Sequence, residues 1–315
     1  MAFLKLIRLH NLFIVASTQY IVRFCIIGPV LKSTGLSFEL SELYFFLLVL
    51  STVLITAAGY VINDYFDRKT DLVNKPESVI IGKDIKRRFA MVFHIVFNII
   101  GILIGFYISL RVGEPLLSLI FIAVSGLLWF YSTTYKKQLL VGNIIIAFLT
   151  ALVPLIVFLF EFLLLKKTYE SSMVAFGADL KYLSAWVLGY SGFAFLLSLA
   201  REIIKDTEDF EGDSSYGSQT IPIVVGVKYT KAIITALFVI TVIALFYVYF
   251  TYFTNKFTLY FICIAIVVPV TYIIYRVITA TDKKDYSVTS VLTKIIMING
   301  LLYALIANSI IPLFY

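Results

Sequence analysis

The sequence is short of histidine, cysteine and charged residues, and each shortage excludes a class of protein. Only two of its 315 residues are histidine and two are cysteine. This supply argues against a zinc or copper site, which is built largely from imidazole and thiolate ligands. Cys25 and Cys263 both lie in apolar runs, so neither indicates a disulfide or a redox compartment. Charged residues make up 14% of the chain, which excludes an ordinary soluble globular protein.

Hydrophobic residues dominate instead. They make up 61% of the chain, and the mean hydropathy is +0.97. Apolar runs of about 20 residues, the length that crosses a bilayer, recur along the whole chain. The pattern predicts an all-α polytopic membrane protein in which residues 1–315 form one transmembrane domain. The nine predicted spans cover residues 11–31, 43–62, 89–110, 116–134, 139–162, 183–204, 230–252, 257–280 and 291–313.

Two acidic segments follow apolar runs and share one spacing. In each, aspartates stand at i, i+3 and i+7; the first row is Asp64, Asp67 and Asp71, and the second row is Asp206, Asp209 and Asp213. On a helix this spacing places three carboxylates along one face. Because such charges repel one another, we expect divalent cations between the rows. Mg²⁺ fits best, since it binds a few carboxylates and leaves places for the oxygens of a diphosphate.

The position of the two rows indicates an internal repeat. Four predicted spans separate the two equivalent helices, so we expect two four-helix units, spans one to four and five to eight, followed by a ninth helix. Parallel repeats with a site at their interface occur in other membrane proteins. For one row alone, a solvated helix-capping surface is an equally good interpretation. Two rows with the same spacing favour metal binding, with Asn63 as a neutral oxygen beside the first and Lys205 as a cation beside the second.

The distribution of Lys and Arg predicts the orientation. With the N-terminus in the cytoplasm, 19 of these residues fall on the cytoplasmic side and 6 on the opposite side. Cytoplasmic loops carry such an excess. We therefore expect an integral protein of the cytoplasmic (inner) membrane with both rows facing the cytoplasm. The formal net charge of +7 is explained by this orientation, and no nucleic-acid partner is expected.

The motif Asn63-Asp64-x-x-Asp67-x-x-x-Asp71, together with the second row, resembles the UbiA superfamily of intramembrane prenyltransferases. The resemblance extends over the whole chain, with the motifs on the second and sixth helices. Smaller matches support it: Arg8-x-x-Asn11 opening span one, the segment 131–137 after span four, and Gly142-Asn143 opening span five. Membership implies Mg²⁺-dependent transfer of a prenyl chain from a polyprenyl diphosphate to a lipophilic acceptor in the membrane lipid.

The implied chemistry assigns roles to polar residues near the rows. Mg²⁺ held by the six aspartates would neutralise the charge that builds on the diphosphate leaving group, and Asn63 belongs to the same catalytic set. The predicted substrate-binding residues share the same end of the spans and are Asn11, Lys75, Tyr135, Lys136, Lys205 and Glu202. For Glu202, an ion pair with Arg201 or Lys205 is an equal alternative to a base near the acceptor.

Three further features are interpreted from position alone. Arg23 lies deep in span one, and such a charge is a functional candidate by default; snorkelling or pairing with a distant acid is the alternative. The segments 75–88 and 219–231 are expected to form lid helices that keep water from the carbocation.

The residues after the first row bear on the acceptor. Asn74-Lys75-Pro76 resembles the branch of the superfamily that prenylates geranylgeranylglycerol phosphate, although Ser78 replaces a basic residue found in many relatives. The alternative enzyme is an aromatic-acceptor prenyltransferase of quinone biosynthesis. A divalent-cation transporter is a remote alternative, because the two spans that carry the rows show no charged residues in their apolar runs, residues 43–62 and 183–200.

Overall fold

The computed structural model describes residues 2–169, 177–252 and 255–310, and helices account for almost all of them. Nine of the helices in this part of the chain are long and apolar enough to cross a membrane, which confirms the predicted fold class. They are labelled α1 (Leu9–Ser33), α2 (Glu42–Asn74), α3 (Arg87–Val112), α4 (Pro115–Thr133), α5 (Val141–Thr168), α6 (Gly177–Glu208), α7 (Val227–Tyr252), α8 (Lys256–Thr279) and α9 (Lys283–Ile310).

Local capping groups explain several helix boundaries. At the start of α2, the Ser41 hydroxyl accepts a hydrogen bond from the backbone N–H of Tyr44. Asn255 caps α8 in the same way, by accepting from the N–H of Phe257. Helix α3 ends at Val112 and is followed by Gly113, whose φ of 77° is the left-handed conformation that closes a helix.

Several helices extend beyond their predicted bounds, and the largest extensions at one end are in α2 and α9. Helix α2 continues for 12 residues past position 62, through the first row to Asn74. Helix α9 begins at Lys283 rather than at residue 291, because the Asp285 carboxylate accepts hydrogen bonds from the backbone N–H groups of Thr281 and Asp282. The predicted end of this span, residue 313, lies outside the described residues.

The prediction of two lid helices is largely wrong. After α2 there is only a single 3₁₀ turn, Pro76–Ser78, followed by a tight loop in which Ile81 and Ile85 form an isolated bridge. Gly82 turns this loop with a φ of 87°, a conformation that side chains other than glycine rarely adopt. The second segment contains one short helix, Ile221–Val225, and then joins α7.

The described chain forms two compact units, which divide within α5 and α6. In the first unit, α2, α3 and α4 approach closely where glycine removes the side chain. Gly101 packs on Ile55, and its carbonyl accepts a hydrogen bond from the Ser51 hydroxyl at 2.7 Å. Gly105 packs against the ring of Phe121. Small residues and interhelical hydrogen bonds of this kind hold membrane helices together.

In the second unit, a buried apolar cluster joins α6, α7, α8 and α9. Ile234 and Phe238 of α7 belong to it, as do Ile273 and Val277 of α8. All four side chains are fully buried. The cluster fixes the helices that follow the second row.

Arg23 pairs with a distant acid, which was one of the two interpretations of this intramembrane charge. It lies in a π-helical turn of α1 and is fully buried. Its guanidinium donates to Glu161 Oε2 at 3.1 Å, to the Leu40 carbonyl at 2.6 Å and to Glu42 Oε1 at 3.0 Å. Glu161 Oε1 in turn accepts from the backbone N–H of Glu39 at 2.6 Å. The network fastens the α1–α2 loop at the end of α2 opposite the first row.

We expect Glu161→Gln to destabilise the protein by about 3 kcal/mol, because it leaves the charge of Arg23 buried without its buried partner. Thermal unfolding in detergent measures the effect. Glu42→Gln is the matched control: its side chain is 68% exposed, and its loss should cost well under 1 kcal/mol. A double variant, Arg23→Met with Glu161→Leu, should be more stable than Glu161→Gln alone. If Glu161→Gln, Glu42→Gln and the double variant all lowered stability equally, the pairing of Arg23 with Glu161 would be contradicted.

Candidate active site

The first row lies on the continuous C-terminal part of α2. Asp67 is 8% exposed, and its Oδ2 accepts a hydrogen bond of 2.6 Å from Asn63 Nδ2, one helical turn earlier. The amide thus holds one carboxylate in place at a spacing that only a helix provides.

Arg8 supplies a cation to the same row. Its guanidinium donates to Asp64 Oδ1 at 2.7 Å and lies 5.0 Å from the centre of the Tyr60 ring. Burial lowers the pKa of Arg8, but the charges of Asp64 and Tyr60 and the hydrogen bond to Asp64 outweigh this effect and raise it. Arg8 therefore stays positively charged and compensates one carboxylate of the row.

The backbone of Arg8 is strained. Its φ of 51° and ψ of 56° are left-handed, which costs a residue with a side chain about 1 kcal/mol or more. Among the described residues, the only other non-glycine position with positive φ is Leu140, at 63°. Each stands three residues before an asparagine at the start of a helix, Asn11 in α1 and Asn143 in α5. This correspondence between the first and fifth helices supports the internal repeat.

The second row crosses a helix end. Asp206 lies on α6, which ends at Glu208; Asp209 is the junction, and Asp213 lies on a short helix, Phe210–Ser215. Helical hydrogen bonding continues across the junction, since the N–H of Asp209 donates to the Lys205 carbonyl and the N–H of Asp213 to the Asp209 carbonyl. The predicted single helical face is therefore present with a local distortion.

Asn143 holds the second row as Asn63 holds the first. Its Nδ2 donates to Asp206 Oδ2 at 2.7 Å. The sequence indicated Asn143 and Arg8 only as parts of supporting motifs, and gave neither residue a role. The shared spacing of Asn11 and Asn143, each three residues after a left-handed position, becomes visible only in the structure.

Glu202 forms ion pairs with Arg201 and Lys205, which is one of the two roles predicted for it. Its Oε1 accepts from Arg201 at 3.0 Å and from Lys205 at 3.5 Å, and the side chain is largely buried. The charge of Lys136 acts on both Glu202 and Asp206. The structure thus brings Lys136, Lys205 and Glu202 together beside the second row.

The remaining predicted residues lie at helix ends. Lys75 follows the last residue of α2, and its N–H donates to the Asp71 carbonyl at 2.7 Å. Tyr135 lies in a 3₁₀ turn after α4, with its ring 6.1 Å from that of Phe130. Asn11 lies in the first turn of α1.

The oxygen atoms of the first row suit Mg²⁺ if phosphate oxygens supply the rest of its ligands. Asn63 Oδ1 is buried and accepts no hydrogen bond from any residue that the structure describes, so a neutral oxygen is available beside Asp67. In the described ranges, no three Asp, Glu, His or Cys side chains are grouped closely enough to hold a metal by themselves. Mg²⁺ is usually held by one or two carboxylates with phosphate oxygens, rather than by a cage made only of protein. The residues therefore suit a metal that arrives with a phosphate.

Comparison with known proteins gives one matching family model and several similar proteins. A family model described as UbiA prenyltransferase matches residues 22–298. Digeranylgeranylglyceryl phosphate synthase of Methanothermobacter thermautotrophicus is 36% identical over 198 residues, which span 62% of this chain and 62% of that relative. The synthase of Thermococcus kodakarensis is 29% identical over 250 residues, which span 78% of this chain and 76% of that relative.

Two solved structures have the same fold. One, described as digeranylgeranylglyceryl phosphate synthase in membranes, is 26% identical with a TM-score of 0.60, over 98% of this chain and 97% of that chain. The other is a UbiA homologue from Archaeoglobus fulgidus bound to DMAPP and Mg²⁺. It is 16% identical with a TM-score of 0.52, over 97% of this chain and 99% of that chain, a likeness of fold alone.

We expect Arg8→Gln to tighten Mg²⁺ binding, because the metal no longer competes with the guanidinium for Asp64. A partly exposed ion pair of this kind corresponds to a change of about two- to fivefold in the dissociation constant. Titration calorimetry of the purified protein with Mg²⁺ alone measures it.

The control for this measurement is Arg276→Gln, which breaks an ion pair of the same length, 2.7 Å to Asp285, outside both rows. It should leave Mg²⁺ binding unchanged. Weaker Mg²⁺ binding by Arg8→Gln would mean that Arg8 positions the ligand instead of competing with the metal.

Proposed function

This chain belongs to the UbiA prenyltransferase family, and we propose that it transfers a geranylgeranyl chain from its diphosphate to the free hydroxyl of geranylgeranylglycerol phosphate. The observation that carries this acceptor is the 36% identity to a digeranylgeranylglyceryl phosphate synthase. The synthase structure that shares the fold over 98% of this chain supports the same choice. The product would be an ether lipid with two prenyl chains and one phosphate.

The reaction requires the protein to stabilise the departing diphosphate and to hold the phosphate groups of the substrates. The bond between the allylic carbon and the diphosphate breaks with its electron pair on the diphosphate, and the acceptor hydroxyl forms the new ether bond and releases its proton. Bound Mg²⁺ would supply positive charge opposite the departing diphosphate. The carboxylates of both rows and the Asn63 oxygen would hold the metal, while Lys75, Lys136 and Lys205 would bind phosphate oxygens.

The asparagine contacts have a defined part in this proposal. Asn63 and Asn143 each orient one carboxylate through a hydrogen bond shorter than 2.8 Å. Replacing a residue that fixes a metal ligand typically costs about 10- to 100-fold in metal affinity or activity. The pairing of Glu202 with Arg201 and Lys205 favours a positioning role for this glutamate, in which it directs Lys205 toward phosphate.

We further propose that the protein lies in the cytoplasmic membrane with its N-terminus and both rows on the cytoplasmic side. The support for this orientation is the excess of Lys and Arg, 19 against 6, summed over the loops on the two sides of the predicted spans. Both prenyl diphosphate and the phosphate of the acceptor are charged groups that would approach from the aqueous side of that end.

Purified protein in Mg²⁺ with radiolabelled geranylgeranyl diphosphate should prenylate geranylgeranylglycerol phosphate and release diphosphate. Asp64→Asn and Asp206→Asn should each reduce turnover by at least about 100-fold, because each removes a charge that acts on the leaving group. Thin-layer separation of the labelled products measures the reaction.

A panel of acceptors makes this assay decisive. Transfer to 4-hydroxybenzoate in place of the glycerol phosphate would overturn the acceptor, and normal turnover in both aspartate variants would overturn the site. Asp282→Asn is the matched control, since this aspartate lies in the exposed α8–α9 turn outside both rows.

The orientation is tested with single cysteines in a background without Cys25 and Cys263. Ser78→Cys, in the exposed loop after the first row, should react with a membrane-impermeant maleimide only in inverted vesicles. Lys256→Cys, at the opposite end of the helices, should react in intact cells. The reverse pattern would contradict the proposed orientation.

A further inference from the structure

A groove on the second unit runs along α7 and ends at two lysines. Its volume is about 730 Å³, within the range of small-molecule sites. Its floor is formed by Ala232 and Ala236, one helical turn apart, and its sides include Val239 of α7 and Ile278 of α8. All four of these apolar residues are exposed. The two alanines create the recess, because larger residues at these positions would fill it.

The length of the groove matches one leaflet of a bilayer. From Lys228 to Val239, α7 rises by roughly 16 Å at 1.5 Å per residue. The hydrocarbon core of a bilayer is about 30 Å thick, so the groove extends from the end of the helix to about the middle of the membrane. A single hydrocarbon chain from one leaflet would lie along it.

The charged end of the groove has two different lysines. Lys228 is exposed and forms no ion pair or hydrogen bond with the residues that the structure describes. Lys231 is fixed in position, because its Nζ donates to the carbonyls of Ile278 at 3.1 Å and Ala280 at 2.6 Å. An ammonium group has three donors, so Lys231 retains one for an outside oxygen.

We propose that this groove binds a lipid of the surrounding bilayer whose phosphate headgroup carries a net negative charge, with one chain against Ala232 and Ala236 and the phosphate at Lys228 and Lys231. The helices cross the membrane, so lipid meets this exposed apolar surface, and each lysine near the membrane surface attracts an anionic headgroup. A second copy of the chain fits less well, since a net charge of +7 would face the same two lysines. None of the groove's residues belongs to either acidic row, and the site is therefore independent of the proposed reaction.

Native mass spectrometry of the purified protein with phosphatidylglycerol or phosphatidylcholine tests the headgroup. Phosphatidylglycerol should bind more tightly, and Lys228→Gln should weaken its binding about fivefold. The matched control is Lys256→Gln, an exposed lysine at the other end of α8, which should change nothing. Lys228 is used because it has no structural contact whose loss could unfold the helix end. Equal binding of the two lipids, or equal effects of the two lysine variants, would overturn the proposal.

A second variant tests the chain. Ala236→Leu fills the recess and should reduce binding of phosphatidylglycerol at least fivefold, whereas Ala244→Leu makes the same change in size on α7 outside the groove and should have no effect.

Two other outcomes assign the groove to a different occupant. Binding of inorganic phosphate as tightly as phosphatidylglycerol would show that the lysines bind phosphate without a contribution from the chain. A dimer that Ala236→Leu dissociates would show that the groove receives a second copy of this protein. Either result would overturn the lipid site.

Discussion

The structure depends on how carboxylates at a membrane surface are compensated. Three like charges along one helix face repel, and removing them from water is costly. The protein supplies partners from nearby: Arg8 pairs with Asp64, Asn63 donates to Asp67, and Asn143 donates to Asp206. These contacts hold three of the six carboxylates in place. The concentration of negative charge in the rows is the reason for proposing that they receive a metal that brings phosphate with it.

A buried charge is also compensated at the other end of α2, but there the charge is that of Arg23. Arg23 is buried more completely than any charged residue of the rows, yet its carboxylate and carbonyl partners surround it. It also lies over the faces of Phe38 and Phe45, at 4.2 and 4.5 Å. Here the cation and its carboxylate partners all come from the protein, and the network joins α1, α2 and α5 as a structural contact.

The sequence alone predicted the parts that depend on local pattern. Nine apolar runs became nine membrane-length helices in the described ranges, and the repeated aspartate spacing lies on helical backbone in both rows. The partner of Arg23 could not be predicted, because Glu161 is 138 residues away and no local pattern links them. The lid prediction failed after the first row because Pro76 and Gly82 favour turns over a helix. The left-handed backbone of Arg8 has no signature in a single sequence.

The π turn of α1, Val22–Ile27, has a consequence for how this helix can change. Its i→i+5 hydrogen bonds accommodate one more residue than an α-helical turn does. A one-residue deletion within it would therefore restore α-helical hydrogen bonding while the residues on either side keep their faces. Arg23 lies inside this turn, whereas Arg8 precedes α1 and pairs with Asp64. In homologous chains, a one-residue length difference in this segment should therefore leave the pairing at the start of α1 unchanged.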